Sequence, residues 1–164
     1  MIILGIDPGT AITGYGVIQH LPGDQLKVIS YGAVTTPAKQ DLQFRLKTIF
    51  DDCTTLNRQF EPDAMAIEKL FFNTNTTTAM SVGQARGVIM LSAALQSIPV
   101  YEYTPLQIKM ALTGYGRADK TQVQQMVTQI LKLPEIPKPD DVADGLAAAI
   151  THAFSYQMAA QIAG

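Results

Sequence analysis

The chain has 164 residues, 47% hydrophobic and 16% charged, with a net charge of −2 and a pI of about 5.6. That is enough for one well-buried core and too little for two ordinary domains, so a single α/β domain over residues 1–164 is expected. The balance excludes a uniformly basic nucleic-acid surface, no apolar run reaches membrane-span length, and the start shows no basic leader or cleavage pattern, so a cytoplasmic protein is expected. The lone Cys53 excludes an internal disulfide and a Cys-rich zinc site.

Ile2, Ile3, Leu4 and Ile6 form a continuous apolar run, the pattern of a strand buried on both faces, and Asp7 interrupts it. Pro8 and Gly9 turn the chain, and Thr13–Ile18 returns as the second strand of a hairpin. A turn at Pro22-Gly23-Asp24 leads to a third strand, Leu26–Thr35. Leu42, Leu46, Ile49, Cys53, Leu56 and Phe60 recur at helical spacing and stop before Pro62. Ala64–Ile67 is a short buried strand ending on Glu68. A polar loop, Asn73–Thr78, precedes a helix over Ala79–Gln96 that is apolar around much of its circumference. One face belongs to the core, and a second subunit is expected to cover the rest, with Glu at Ile89 or Leu91 expected to give monomers or misfolded protein.

Pro99–Tyr103 reads as a fifth strand, and Thr104-Pro105 starts a short helix that ends at Gly114. A loop through Arg117 leads to a helix carrying Val123, Met126, Val127, Ile130 and Leu131. Three prolines between Leu133 and Pro139 keep the chain extended before the last helix, which carries Asp144, Leu146, Ala149, Ile150 and Ala153. Three antiparallel strands first, then alternating helices and strands, predict a mixed five-stranded sheet with helices on its faces and a site outside the strand ends.

Asp7 and Glu68 end two strands expected to be neighbours, and Asp141 and Asp144 stand three residues apart on the last helix. Converging carboxylates repel one another, and two Mg²⁺ ions per site carry the charge that neutralises four of them. Such pairs hold the attacking and leaving oxygens of a phosphoryl displacement, and Mn²⁺ is expected to substitute. Taken singly, Asp7 in its own Asx-turn and acids at a helix start are ordinary structural features. Helical spacing does not choose between Asp140 and Asp141. The extended approach through Pro139 predicts Asp140 as N-cap and Asp141 as the first helical residue, free to ligate.

Ile3–Thr10 (I-L-G-I-D-P-G-T), T-G-Y-G-V at Thr13–Val17, A-I-E ending at Glu68, V-G-Q-A-R-G-V at Val82–Val88, L-K-L-P at Leu131–Pro134 and D-V-A-D-G-L-A-A-A-I-T-H at Asp141–His152 resemble the RuvC crossover junction endodeoxyribonucleases over essentially the whole chain. The resemblance implies a ribonuclease-H-like fold and a homodimeric, Mg²⁺-dependent nuclease. Such an enzyme resolves Holliday junctions by symmetric nicks that leave 5′-phosphate and 3′-hydroxyl ends, beside the branch-migration proteins RuvA and RuvB. It implies that Asp7, Glu68, Asp141 and Asp144 are the catalytic metal ligands; some relatives have His where this chain has Asp141. Ala11 stands where the family is often basic, and the chain ends at Gly164 without the basic tail of some members.

Lys109, Arg117 and Lys120 gather around the Gly114–Gly116 loop, with Lys69 and Arg86 near other family motifs, so a basic rim around an acidic centre answers the charge objection to DNA. Lys109 and Lys120 match family lysines implicated in catalysis or DNA binding. Of Phe71 and Phe72, one is expected in the core and the other to stack on an unpaired junction base; the resemblance favours Phe71. His152 reads as a partly buried helix residue and not as a ligand. Two other classes compete with this reading. An actin-like nucleotide-binding module needs two facing domains, and a catalytically silent junction-binding protein fits poorly with four acids beside a DNA backbone.

Overall fold

The computed structural model describes residues 1–70 and 76–163. Five strands, β1 (Ile2–Asp7), β2 (Ile12–Leu21), β3 (Gln25–Thr35), β4 (Ala64–Glu68) and β5 (Val100–Tyr103), form one mixed sheet in the order β3-β2-β1-β4-β5. The first three are antiparallel, and β4 and β5 run parallel to β1. β1 is therefore the central strand, which is why its apolar run is unbroken: Ile3, Leu4 and Ile6 are fully buried.

Side chains alternate along a strand, and each face meets a different helical layer. Leu4, Ile6, Met65 and Ile67 pack against α1 (Leu42–Phe60) and α2 (Thr76–Ala94). Ile3, Ala66 and Tyr103 pack against α3 (Pro105–Thr113), α4 (Lys120–Ile130) and α5 (Asp140–Ala163). Helices thus cover both faces, as expected. The alternation also places Asp7 on the face of Ile3 and Glu68 on the face of Ala66, so both acids project toward α5. No helix among the described residues is long and apolar enough to cross a membrane.

Backbone contact sets the seat of α5. A Cβ on Gly5 would stand 2.1 Å from the Gly145 carbonyl oxygen, and one on Gly14 would stand 1.8 Å from that of Asp141. Gly14 is the strand partner of Asp7. The first turn of α5 therefore rests directly on the strand residue beside the Asp7 carboxylate, a distance that any larger residue at position 14 forbids.

Three expectations need correction. α2 begins at Thr76, three residues early, because the threonines preceding Ala79 join the helix in place of the polar loop. Ile89, paired with Leu91 as a position where Glu would give monomers or misfolded protein, is wholly buried in this chain's own core and so bears on folding, whereas Leu91 is exposed. Asp140 is not the N-cap: α5 already includes it, and the Val142 amide donates to the Pro139 carbonyl at 3.0 Å, the bond the capping carboxylate was expected to receive. Phe71 and Phe72 lie outside the described residues.

The Gly14 contact yields a prediction. Gly14→Ala drives a methyl into the Asp141 carbonyl and should lower stability by about 1–3 kcal/mol in urea denaturation. At Gly87, within α2, an added Cβ meets nothing within 4 Å, and Gly87→Ala should stabilise by about 0.5–1 kcal/mol. Equal effects at both positions would show that the contact does not matter.

Candidate active site

Each acid arrives on an element whose end is sharply defined. Asp7 closes β1, and the following turn is clamped by Thr13, whose hydroxyl donates to the Gly9 carbonyl at 2.7 Å and accepts from the Gly9 amide at 3.4 Å. The turn's own bonding leaves Asp7 out: among the described residues its carboxylate receives no hydrogen bond, so the Asx-turn reading fails. Glu68 closes β4, in register with Tyr103 of β5. Tyr103 is tied behind the site to the buried His152 through its hydroxyl and Nδ1, 2.7 Å apart, so His152 joins the helix to the sheet.

Burial pushes the Asp7 carboxyl up to about 8, and the charges of Asp144, Glu68 and Asp141 push the same way, with Lys120 opposing them. Burial also raises Glu68, aided by Asp144 and opposed by Lys120 and Lys109. All four predicted acids therefore share one electrostatic field. Three of them, Asp7, Glu68 and Asp144, line two adjoining clefts. One, of about 190 Å³, is lined by Glu68, Lys109, Lys120 and Asp144 among others; the second, of about 270 Å³, by Asp7, Glu68 and Lys69.

The lysines owe their places to helix caps. Thr104 and Gln107 form a reciprocal capping box at the start of α3, the helix that carries Lys109, and Asp119 and Gln122 form another at the start of α4, where Lys120 is the first residue. Lys120 Nζ lies 3.1 Å from Asp144 Oδ2 and 3.4 Å from Asp140 Oδ2. Burial pulls the Lys120 ammonium down, but its bonds and charge contacts with Asp144 and Asp140 outweigh it, and the net shift is upward. Asp144 does not respond in mirror image: burial and its acidic neighbours keep it raised despite the lysine.

Arg86 departs from the predicted rim. It is drawn against Glu102 of β5 and largely withdrawn from solvent, and burial lowers its pKa. Arg117 is exposed on the loop between α3 and α4. The Asp119 box was legible as D-x-x-Q but was not recognised as the device that fixes Lys120.

The residues present fit a hard divalent cation. Every donor is a carboxylate oxygen, and Lys109, Lys120 and Lys69 are the lysines that line the two clefts with the acids. Among the described residues no three His, Cys, Asp or Glu side chains close into a preformed cage, and Lys120 stands on Asp144 where a ligand bond would form. Asp7, buried and without a hydrogen bond to its carboxylate among the described residues, is held toward its protonated form, and a cation would favour its ionised form.

The family model for crossover junction endodeoxyribonuclease RuvC matches residues 3–152. The chain belongs to the RuvC family. A RuvC from Rubrobacter xylanophilus is 55% identical over 159 residues, 97% of this chain and 88% of the relative. The solved structure of Thermus thermophilus RuvC superposes with a TM-score of 0.89 at 36% identity over 97% of both chains. A second structure, of T. thermophilus RuvC in complex with a Holliday junction substrate, gives 0.88 at 34% identity over 96% of both. The mixed sheet with three antiparallel strands first is thus the ribonuclease-H-like arrangement of the RuvC nucleases.

The Asp7 shift sets a pH dependence for the metal-free protein. Below the ordinary value of 3.8 the carboxyl is protonated folded or unfolded. As pH rises toward about 8, the folded state holds a proton that the unfolded chain releases, so this group's contribution to stability is progressively lost. Asp7→Asn removes the penalty. It should raise the urea midpoint clearly at about pH 8 and hardly at about pH 4, in the presence of a chelator. An equal gain at both would contradict the shift.

Proposed function

We propose that the chain, one domain across residues 1–164, is a Mg²⁺-dependent endonuclease that resolves four-way Holliday junctions by paired symmetric nicks. The observation that carries this reading is the meeting of Asp7, Glu68, Asp141 and Asp144 in one field at the ends of β1 and β4, with Lys109 and Lys120 at the cleft. Membership of the RuvC family and the solved junction complex of a 34% identical relative support it.

Asp7, Glu68, Asp141 and Asp144 would hold two divalent ions, with Mn²⁺ able to replace Mg²⁺ at all-oxygen ligands. When bound, such ions supply an activated water and a charge-stabilised leaving oxygen for phosphodiester hydrolysis. The chain's own residues do the rest. Lys109 and Lys120 draw the scissile phosphate into a cleft whose carboxylates otherwise repel it. The turn clamped by Thr13 and the seat of α5 on Gly14 hold Asp7 and Asp141 at a set separation, so orientation is built before substrate arrives. Hydrolysis leaves a 5′-phosphate and a 3′-hydroxyl. Arg117 and Phe71 are assigned to DNA contacts around this centre, on the loop after α3 and in the segment after β4.

Paired nicks need two sites related by a two-fold axis, so the active form is a homodimer. Met80, Leu91 and Leu95 on and just beyond α2 are large apolar side chains left exposed, and they are assigned to the interface. RuvA and RuvB are the partners assigned to it, on junction DNA in the cytoplasm.

Cleavage of a synthetic four-way junction tests this reading. Asp7→Asn and Glu68→Gln should each abolish Mg²⁺-dependent cleavage while junction binding persists or tightens, since each removes a ligand charge that also repels phosphate. In the same assay Leu91→Glu should give monomer and lose paired nicks. Cleavage at the wild-type rate by both acid variants would overturn the assignment.

A further inference from the structure

Lys120 has two anionic partners, and only one of them belongs to the predicted ligand set. Asp144 must offer its oxygens to a cation, yet the Lys120 ammonium lies 3.1 Å from Oδ2, occupying that oxygen's lone pairs. Asp140, 3.4 Å from the same ammonium, is four residues earlier than Asp144 on α5 and is not among the three acids, Asp144, Glu68 and Asp141, that shift Asp7. Lys120 is also a cation at the first position of α4, where the helix dipole disfavours it, so it needs an anion whichever way it turns. Both Asp140 and Lys120 are more than half exposed, leaving the lysine free to swing between the two carboxylates.

We infer that Asp140 is a positioning residue for Lys120: it takes the ammonium when Asp144 turns to a divalent cation, and keeps it at the mouth of the cleft. The inference rests on the metal-dependent reading above. Without Asp140, Lys120 has Asp144 as its one ion-pair partner among the described residues, and ligation by Asp144 then leaves the lysine unpaired. With Asp140, the exchange trades one carboxylate for another. An exposed pair contributes modestly, so the effect is about two- to fivefold in affinity.

Calorimetric titration of Mn²⁺ into the DNA-free protein tests this in a double-mutant cycle. Asp140→Asn should weaken Mn²⁺ binding about two- to fivefold, Asp140→Glu should restore most of it, and Lys120→Met should strengthen it. In the Lys120→Met background, Asp140→Asn should have no further effect. An equal weakening in both backgrounds would mean that Asp140 acts only as a distant charge, and would overturn the proposal while leaving the nuclease reading intact. Wild-type protein that binds no Mn²⁺ would overturn the metal-dependent reading itself, and this inference with it. Thermal melts of all five proteins, wild type included, check that each is folded.

Discussion

The close seat of α5 on β1 and β2 is the contact on which the rest depends. Gly5 and Gly14 let the carbonyls of Gly145 and Asp141 come to where a Cβ would otherwise stand. Because Gly14 pairs with Asp7 across the hairpin, this contact fixes the start of α5 against the end of the central strand. Like charges alone would drive Asp141 and Asp144 away from Asp7 and Glu68. A buried helix face made of Leu146, Ala147, Ala149, Ile150 and Ala153 holds them in place, each side chain withdrawn from water at about 25 cal/mol per Å² of apolar surface. Packing energy is thereby stored as electrostatic tension.

That tension is what the site has to offer. Among the described residues nothing donates a hydrogen bond to the Asp7 carboxylate, and burial first, then the neighbouring acids, push it toward its neutral form. The two capped helices that bring Lys109 and Lys120 relieve part of the tension. They do so with side chains long enough to move, which suits a cleft that has to accept a phosphate between acids and bases. Thr13, Tyr103 and His152 sit behind this arrangement as supports, each spending its hydrogen bonds on holding a strand end or helix in register.

Much of this was legible in the residues. The unbroken apolar run of β1 and the acids at Asp7 and Glu68 follow from local pattern, because a strand buried on both faces and its abrupt charged end leave few alternatives. That both acids share one face follows from the parallel register of β1 and β4, in which Ile6 pairs with Ile67. What failed depended on which neighbour an element meets. Ile89 and Leu91 are both apolar on a helix that is apolar all round, and only the packed structure separates core from exposed surface. Arg86 looked like a solvent-facing cation until Glu102 of β5 was brought beside it. Asp140 had a sound local argument for capping, yet the chain bonds Val142 to Pro139 and leaves the carboxylate to Lys120, twenty residues earlier. The close approach at Gly14 left no mark in the sequence beyond a glycine, since nothing local says what will lie against it.

The central claim is that four carboxylates on two strands and one helix act together to bind divalent cations. Crystals soaked in Mn²⁺ and measured at the manganese absorption edge test it most directly, because the anomalous signal locates the ion without reference to activity. The account predicts anomalous density between Asp7, Glu68, Asp141 and Asp144, with Lys120 displaced from Asp144. Density absent from that cleft, or a site formed without Asp7, would contradict it.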